Sequence, residues 1–157
     1  MIPIQTRRGI TILELIVVIA IAAVVVFAAS GPLVRFRDDQ VLVSTAEQTS
    51  ALLYEARTNT IASKNAAQYG VHFEAGRAVL FQGATFTEPN SNNKELTFPL
   101  AVEAATISLN GGGADIVFDR LVGTTADFGT IVLTLKNNAS STRTIAIEQT
   151  GTVALVQ

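Results

Sequence analysis

The feature that most restricts this chain is the run Ile10 to Ala29, twenty residues that are all apolar except Thr11 and Glu14. As a helix rising ~1.5 Å per residue, such a run is about 30 Å long, the thickness of a bilayer's hydrocarbon core. Arg7 and Arg8 precede it, and Arg35 and Arg37 follow it beyond Gly31-Pro32. That flank favours a cytoplasmic N-terminus with the rest of the chain on the outer side of the membrane. Glu14 is the anomaly, because an acid at the centre of a membrane helix costs roughly 2.5–3.5 kcal/mol on insertion scales and somewhat less near an end.

Three readings compete for this segment. A cleavable secretion signal, of which a twin-arginine signal is a variant given "TRRGITI", would use "FAASG" as its cleavage region, but the run is longer than a usual h-region and carries an acid. A plain single-pass anchor fits the length and leaves Glu14 without a purpose. In the third reading the chain is cut between Gly9 and Ile10, which puts Glu14 about one helical turn from a new, positively charged amine. A buried carboxylate is tolerated when a cation pairs with it, so a neighbouring chain's terminal amine would let Glu14 set the axial register between packed helices.

The remainder narrows the function classes. A chain of 157 residues holds one modest core, or one core and an anchor. Without cysteine it has no disulfide framework, thiolate nucleophile or thiolate metal ligand, and with a single histidine it has little from which to build acid–base catalysis; no enzyme and no cofactor are expected. Outside Arg7 and Arg8, nine Lys/Arg stand against thirteen Asp/Glu, a mildly acidic body ill suited to nucleic acid.

Past Gly31-Pro32, which should loosen or break the helix, Leu42, Ala46, Thr49, Leu53, Ala56 and Thr60 recur at spacings of three and four, one small apolar face suited to lying on a sheet. Gln40, Glu47, Glu55, Arg57 and Lys64 are left for solvent, and the helix is expected from about Ile10 to Ala66. "QYGVHFEAGRAVLFQ" then changes to period two around a turn at Gly76 and reads as a β-hairpin. A loop follows in "GATFTEPNSNNKE", with strands expected at 96–100, 106–109, 115–118, 130–135, 144–147 and 153–156, separated by turns at "NGGGA", "RLVGTTADFG", "KNNASST" and "TGT". The expected segments are therefore a basic N-terminal stretch at 1–9, which is a leader on the third reading, a hydrophobic helix at 10–30, an amphipathic helix half at 31–66 and a β-rich domain at 67–157.

The stretch "RRGITILELIVVIAIAAVVV" resembles the N-terminus of type IV pilins and type II secretion pseudopilins, in its short basic leader, Gly9, an apolar residue at Ile10, Thr11 and then Glu14. "ALLYEARTNTIASKNAAQYGVHF" and "IVFDRLVGT…GTIVLTLKN…STRTIAIEQTGTV" are similar to the helix end, first strand and C-terminal hairpins of the minor pseudopilin H and FimT-like group. The resemblance implies an α+β pilin fold, a long N-terminal helix with a transmembrane first half packed on a C-terminal antiparallel sheet. It further implies cleavage after Gly9 and N-methylation of Ile10 by prepilin peptidase, with Arg7 and Arg8 holding the leader in the cytoplasm. Other pilins or pseudopilins and the inner-membrane assembly platform would be the partners, and Glu14, helped by Thr11, the assembly residue. Ile10 departs from the Phe or Met that the family most often places there.

Other motifs carry less. Gly111-Gly112-Gly113 lacks the Lys-Ser/Thr ending and following helix of a phosphate loop and reads as a hairpin turn. His72 reads as a satisfied strand residue. Asp115, Asp119 and Asp127 do not have the spacing of a calcium loop, so no metal is expected. Some FimT-like minor pilins bind DNA through a Gly-Arg-x-Arg motif, but here Thr152 and Ala154 stand at the arginine positions, which leaves only Arg120, Lys136 and Arg143 as a candidate basic patch. A DNA receptor and an unprocessed envelope protein are the alternative readings.

Overall fold

The computed structural model describes residues 9–156, and among them all side chains except those of 28–35. The chain divides into two compact units, residues 1–37 and 38–157. Helix α1, Ile12–Ile61, begins in the first and ends in the second.

In the first unit the helix starts where Thr11 caps it. The Glu14 backbone N–H donates to Thr11 Oγ1 at 3.2 Å, and the Leu15 N–H reaches the Thr11 carbonyl at 3.1 Å. "TILE" thus has the form of a capping box, with Thr as N-cap and Glu three residues later. The described side chains from Ile10 to Phe27 are all exposed, Ile12 at 80% and Phe27 at 85%. The helix assignment runs through Gly31 and Pro32, whose side chains lie outside those described.

In the second unit all six residues of the predicted helix face are buried: Leu42, Ala46, Thr49, Leu53, Ala56 and Thr60. Leu42, Ala46, Leu53 and Ala56 share one hydrophobic core with residues of two antiparallel sheets. The helix ends earlier than expected, at Ile61, and a short 3₁₀ turn, Lys64–Ala66, leads to the first strand. The strands are β1 (Tyr69–Glu74), β2 (Arg77–Gln82), β3 (Lys94–Thr97), β4 (Val102–Leu109), β5 (Asp115–Val117), β6 (Gly129–Leu135), β7 (Asn138–Ile147) and β8 (Val153–Val156). They form two four-stranded sheets, ordered β3-β2-β1-β5 and β4-β6-β7-β8.

The predicted hairpin is present, in the register Val71 opposite Leu80 and Glu74 opposite Arg77. That register turns Ala78 and Leu80 to the common core and puts Val79 and Phe81 on the other face with His72. The following loop covers that outer face. Phe86 stacks on the His72 ring with centroids 4.1 Å apart and meets Phe81 edge-on at 5.6 Å. At Gly70 a Cβ would come within 2.6 Å of the Phe81 ring and 2.7 Å of the Ile116 carbonyl oxygen, so only glycine fits there.

Three expectations need correction. The strand expected at 96–100 is split around Pro99, with β3 pairing to β2 and β4 to β6. Pro lacks the amide that a continuous ladder would need. The glycine run 111–113 is not a hairpin turn, because β4 and β5 lie in different sheets; it is the crossover between them, with Gly111 at φ +90° and Gly112 at φ +76°. The "KNNASST" turn is also shorter than expected, since β7 already begins at Asn138 opposite Leu135; the register shifts there, and Asn138 Oδ1 accepts the Ser140 N–H at 3.3 Å, so Asn and Ser shape an irregular start to the strand.

Candidate assembly site

The predicted functional residues lie in the first unit. Gly9, Ile10 and Thr11 precede the helix in irregular backbone, Gly9 has nothing within 4 Å of where a Cβ would stand, and Ile10 is 76% exposed. The Gly9–Ile10 bond is therefore reachable from solvent. Arg7 and Arg8 lie outside the described residues. Glu14 is exposed in the first helical turn, two residues into the helix. A carboxylate there is favoured by the partial positive charge of the helix N-terminus by about 0.3–1 kcal/mol. The T-x-x-E spacing that produces this cap was readable in the sequence and is a role for Thr11 and Glu14 beyond the one assigned there.

Around Glu14 the helix offers only apolar side chains to its surroundings, with Leu13, Ile16 and Val17 at 75%, 60% and 48% exposure. Exposed apolar surface of this extent marks a face made for lipid or for another chain. Among the described residues, no helix is long and apolar enough to cross a membrane. The run predicted at Ile10–Ala29 passes into the residues whose side chains are not described.

The other candidates in the body are used structurally. His72 Nδ1 lies 2.5 Å from Asp115 Oδ1, with Glu74 Oε1 3.5 Å from Nε2. Asp119 Oδ2 accepts from the Thr124 hydroxyl at 2.8 Å, and Asp127 Oδ2 from the Val117 N–H at 3.1 Å, so each aspartate ties its own loop. Among the described residues, no group of three His, Asp or Glu could hold a metal. Arg77 gathers Glu74, Glu88 and Glu95 at 2.8, 2.8 and 3.2 Å. Its hydrogen bonds hold the Glu74 and Glu88 carboxyls below the usual carboxylate range. The basic residues considered for DNA are not brought together. Arg120 Nε donates to Ser63 Oγ past the end of α1, whereas Arg143 lines a cavity of about 160 Å³ with Val43 and Glu47, some 25–30 Å away along the helix.

A helix carrying an exposed apolar start and packing its later turns against antiparallel sheets defines the pilin fold. Solved structures share it. The type IV minor pilin FimU of Pseudomonas aeruginosa superposes with a TM-score of 0.59 at 15% identity, covering 78% of this chain and 92% of that one. A second crystal form of FimU gives 0.55 at 14%, covering 74% and 93%. The minor pseudopilin EpsH from the Type 2 Secretion System of Vibrio cholerae gives 0.53 at 13%, covering 73% and 95%. No family model matches the sequence, and no curated protein matches it. The likeness is one of fold.

Proposed function

We propose that this chain is a minor pilin or pseudopilin, a non-enzymatic subunit of a type IV pilus or a type II secretion pseudopilus in a bacterial cell envelope. It waits in the inner membrane through its apolar segment, N-terminus in the cytoplasm and body outside. Prepilin peptidase cuts the Gly9–Ile10 bond and methylates Ile10, and the assembly platform then adds the chain to a filament of other pilins or pseudopilins. Neighbouring helices bury the apolar side chains, and Glu14 selects the register by pairing with a terminal amine.

The observation that carries this reading is the conjunction of the pilin fold with the exposed apolar run that starts one residue after an accessible Gly9. In the membrane those side chains are already in lipid, so lateral packing draws on van der Waals contact between neighbouring helices and on a partner for Glu14 rather than on transfer out of water. Mass analysis of the protein isolated from its cell tests it. A chain beginning at Ile10 with one added methyl group is expected; an intact Met1 start or a cut after Ala29 refutes the proposal.

A further inference from the structure

Each four-stranded sheet has two edges, and three of the four are blunted. The edge of β5 is closed by a loop: the Val117 N–H donates to Asp127 Oδ2 at 3.1 Å, and the Val117 carbonyl accepts the Thr125 hydroxyl at 2.7 Å. β4 is bulged between Ala104 and Thr106, and its Ala104 N–H goes to the Ala75 carbonyl at 2.9 Å. β3 is short and carries Lys94 and Glu95. Cover, bulges and charge are the usual protections of a sheet edge against pairing with another chain. β8 is as short as β3 but has no charge and no bulge. It reads Val-Ala-Leu-Val in unbroken register with β7, and Ala154, Leu155 and Val156 are exposed.

The ladder shows which groups this edge leaves open. The Glu148 N–H donates to the Thr152 carbonyl at 2.9 Å, so by the alternation of an antiparallel pair Ala146–Ala154 and Thr144–Val156 exchange hydrogen bonds, and Ile147–Val153 and Ile145–Leu155 do not. The N–H and C=O of Val153 and Leu155 therefore point away from β7. Tyr54 Oη confirms that direction by donating to the Val153 carbonyl at 2.6 Å. Among the described residues the N–H and C=O of Leu155 have no partner.

Beside the open edge α1 supplies a wall. Val43, Ala46 and Glu47 line, with Arg143, Leu155 and Val156, a cavity of about 160 Å³. Four of these six residues are apolar, and an apolar cavity of about 150 Å³ takes up a benzene ring, so this one suits one leucine- or phenylalanine-sized side chain. Ser50 lies between Glu47 and Tyr54 on the same helix face, 7% exposed, its Oγ a buried hydroxyl without a hydrogen-bond partner.

We propose that the edge of β8 binds an extended segment of a partner protein, which pairs with Leu155 and places one apolar side chain in the cavity. The unmade bonds choose the occupant. A donor and an acceptor facing the same way from one residue are met by the C=O and N–H of another extended backbone. A helix has already bonded its own backbone groups, and a lipid tail has none to offer. Because Tyr54 takes the Val153 carbonyl, the added strand stops short of that residue. The inference uses residues of the second unit alone and stands whether or not the chain is cleaved at Gly9.

The test is amide hydrogen exchange, read by NMR on the full chain in detergent micelles, with and without a short synthetic peptide that alternates threonine with leucine and has lysine at each end. At saturation the Leu155 amide should exchange about tenfold more slowly or less, with methyl shifts at Val43, Leu155 and Val156. The same peptide methylated on every backbone amide should bind at least about tenfold more weakly. Leu155→Pro removes only an outward N–H and keeps the bonds to β7; it should weaken binding about tenfold while the melting temperature stays within about 4 °C of the parent. Val43→Phe, which fills the cavity from the helix and leaves the edge intact, should weaken binding about as much. Equal binding of the methylated peptide, protection centred on another strand, or unchanged affinity in either variant would each overturn the proposal. So would slowing of Leu155 exchange that rises with the chain's own concentration without peptide, which would make a second copy the occupant.

Discussion

Thr60 joins the end of α1 to the start of β1, and replacing it by valine removes its hydroxyl while keeping its shape. Its side chain is fully buried; Oγ1 donates to the Ala56 carbonyl at 2.8 Å and accepts the Tyr69 backbone N–H at 2.9 Å. Valine has nearly the same shape, so no cavity opens, but the Tyr69 N–H loses its acceptor in a site that water does not reach. An unsatisfied buried donor costs about 1–3 kcal/mol. For a body of this size each kcal/mol moves the melting temperature by about 4 °C, so a fall of about 4–12 °C is expected. Thr60→Ser keeps the oxygen and loses one methyl, about 0.8–1 kcal/mol, and should be the milder change. The assay is thermal and urea unfolding of residues 38–157, the compact unit that contains the whole buried core. If Thr60→Val melts with the parent while Thr60→Ser falls below it, the methyl and not the hydroxyl stabilises the junction, and the argument fails.

Gly151 sits at φ +77°, where a Cβ would collide with the Gly123 carbonyl oxygen and lie 2.7 Å from Arg57 Nε; Gly151→Ala should destabilise the same fragment by more than about 2 kcal/mol in urea unfolding. Arg77 lowers the Glu74 and Glu88 carboxyls, so their contribution to stability is complete above the unfolded-state pKa of ~4.3 and is lost as pH falls through the lower folded-state values. Melting temperature followed from about pH 5 downward should therefore drop more steeply in the parent than in Arg77→Met. Leu53, fully buried on the helix face, should cost about 2–5 kcal/mol as alanine, measured by chemical denaturation. Glu14→Gln should leave membrane insertion intact and reduce filament incorporation as strongly as Glu14→Ala, scored by the amount of the chain in sheared filaments; normal incorporation of the Gln variant refutes the pairing role.

The helix face was readable because its burial is one-sided, so a 3.6-residue period marks Leu42 through Thr60 directly in the residue order. The first hairpin was readable because its partner strand is adjacent and its turn short. The two-sheet arrangement was not, since it depends on β4 choosing β6 over β3 and β5 choosing β1 over β4, decisions between distant segments that leave no local pattern. Burial of the outer face of β2 was not legible for a related reason. The alternation of Val79 and Phe81 is real, but a loop sequence rich in Asn and Pro contributes Phe86 to cover the outer face, so both faces of β2 are buried. The Gly9, Ile10 and Glu14 constellation is local and could be recognised as a pattern. The backbone at Leu121 could not, because its identity carries no sign that its φ is 68°.

Glutamate at position 14 serves two physical demands whose sizes differ. As N3 of a capping box, with Thr11 accepting its backbone N–H, it supports the helix start, and its charge gains about 0.3–1 kcal/mol from the helix dipole. Glutamine fills the N3 position of a capping box as well as glutamate and brings no charge into an apolar segment. The cost of that charge in hydrocarbon, up to roughly 2.5–3.5 kcal/mol at a helix centre, is comparable to or larger than the dipole gain. Helix capping alone therefore accounts for a polar residue at position 14 but not for an ionised one. On the proposed reading the carboxylate sits in the favourable field of its own helix N-terminus while the chain waits in the membrane, and its charge gains a partner only when a neighbouring amine arrives. Thr11→Ala should accordingly weaken the helix start without abolishing incorporation, and Glu14→Gln should do the reverse.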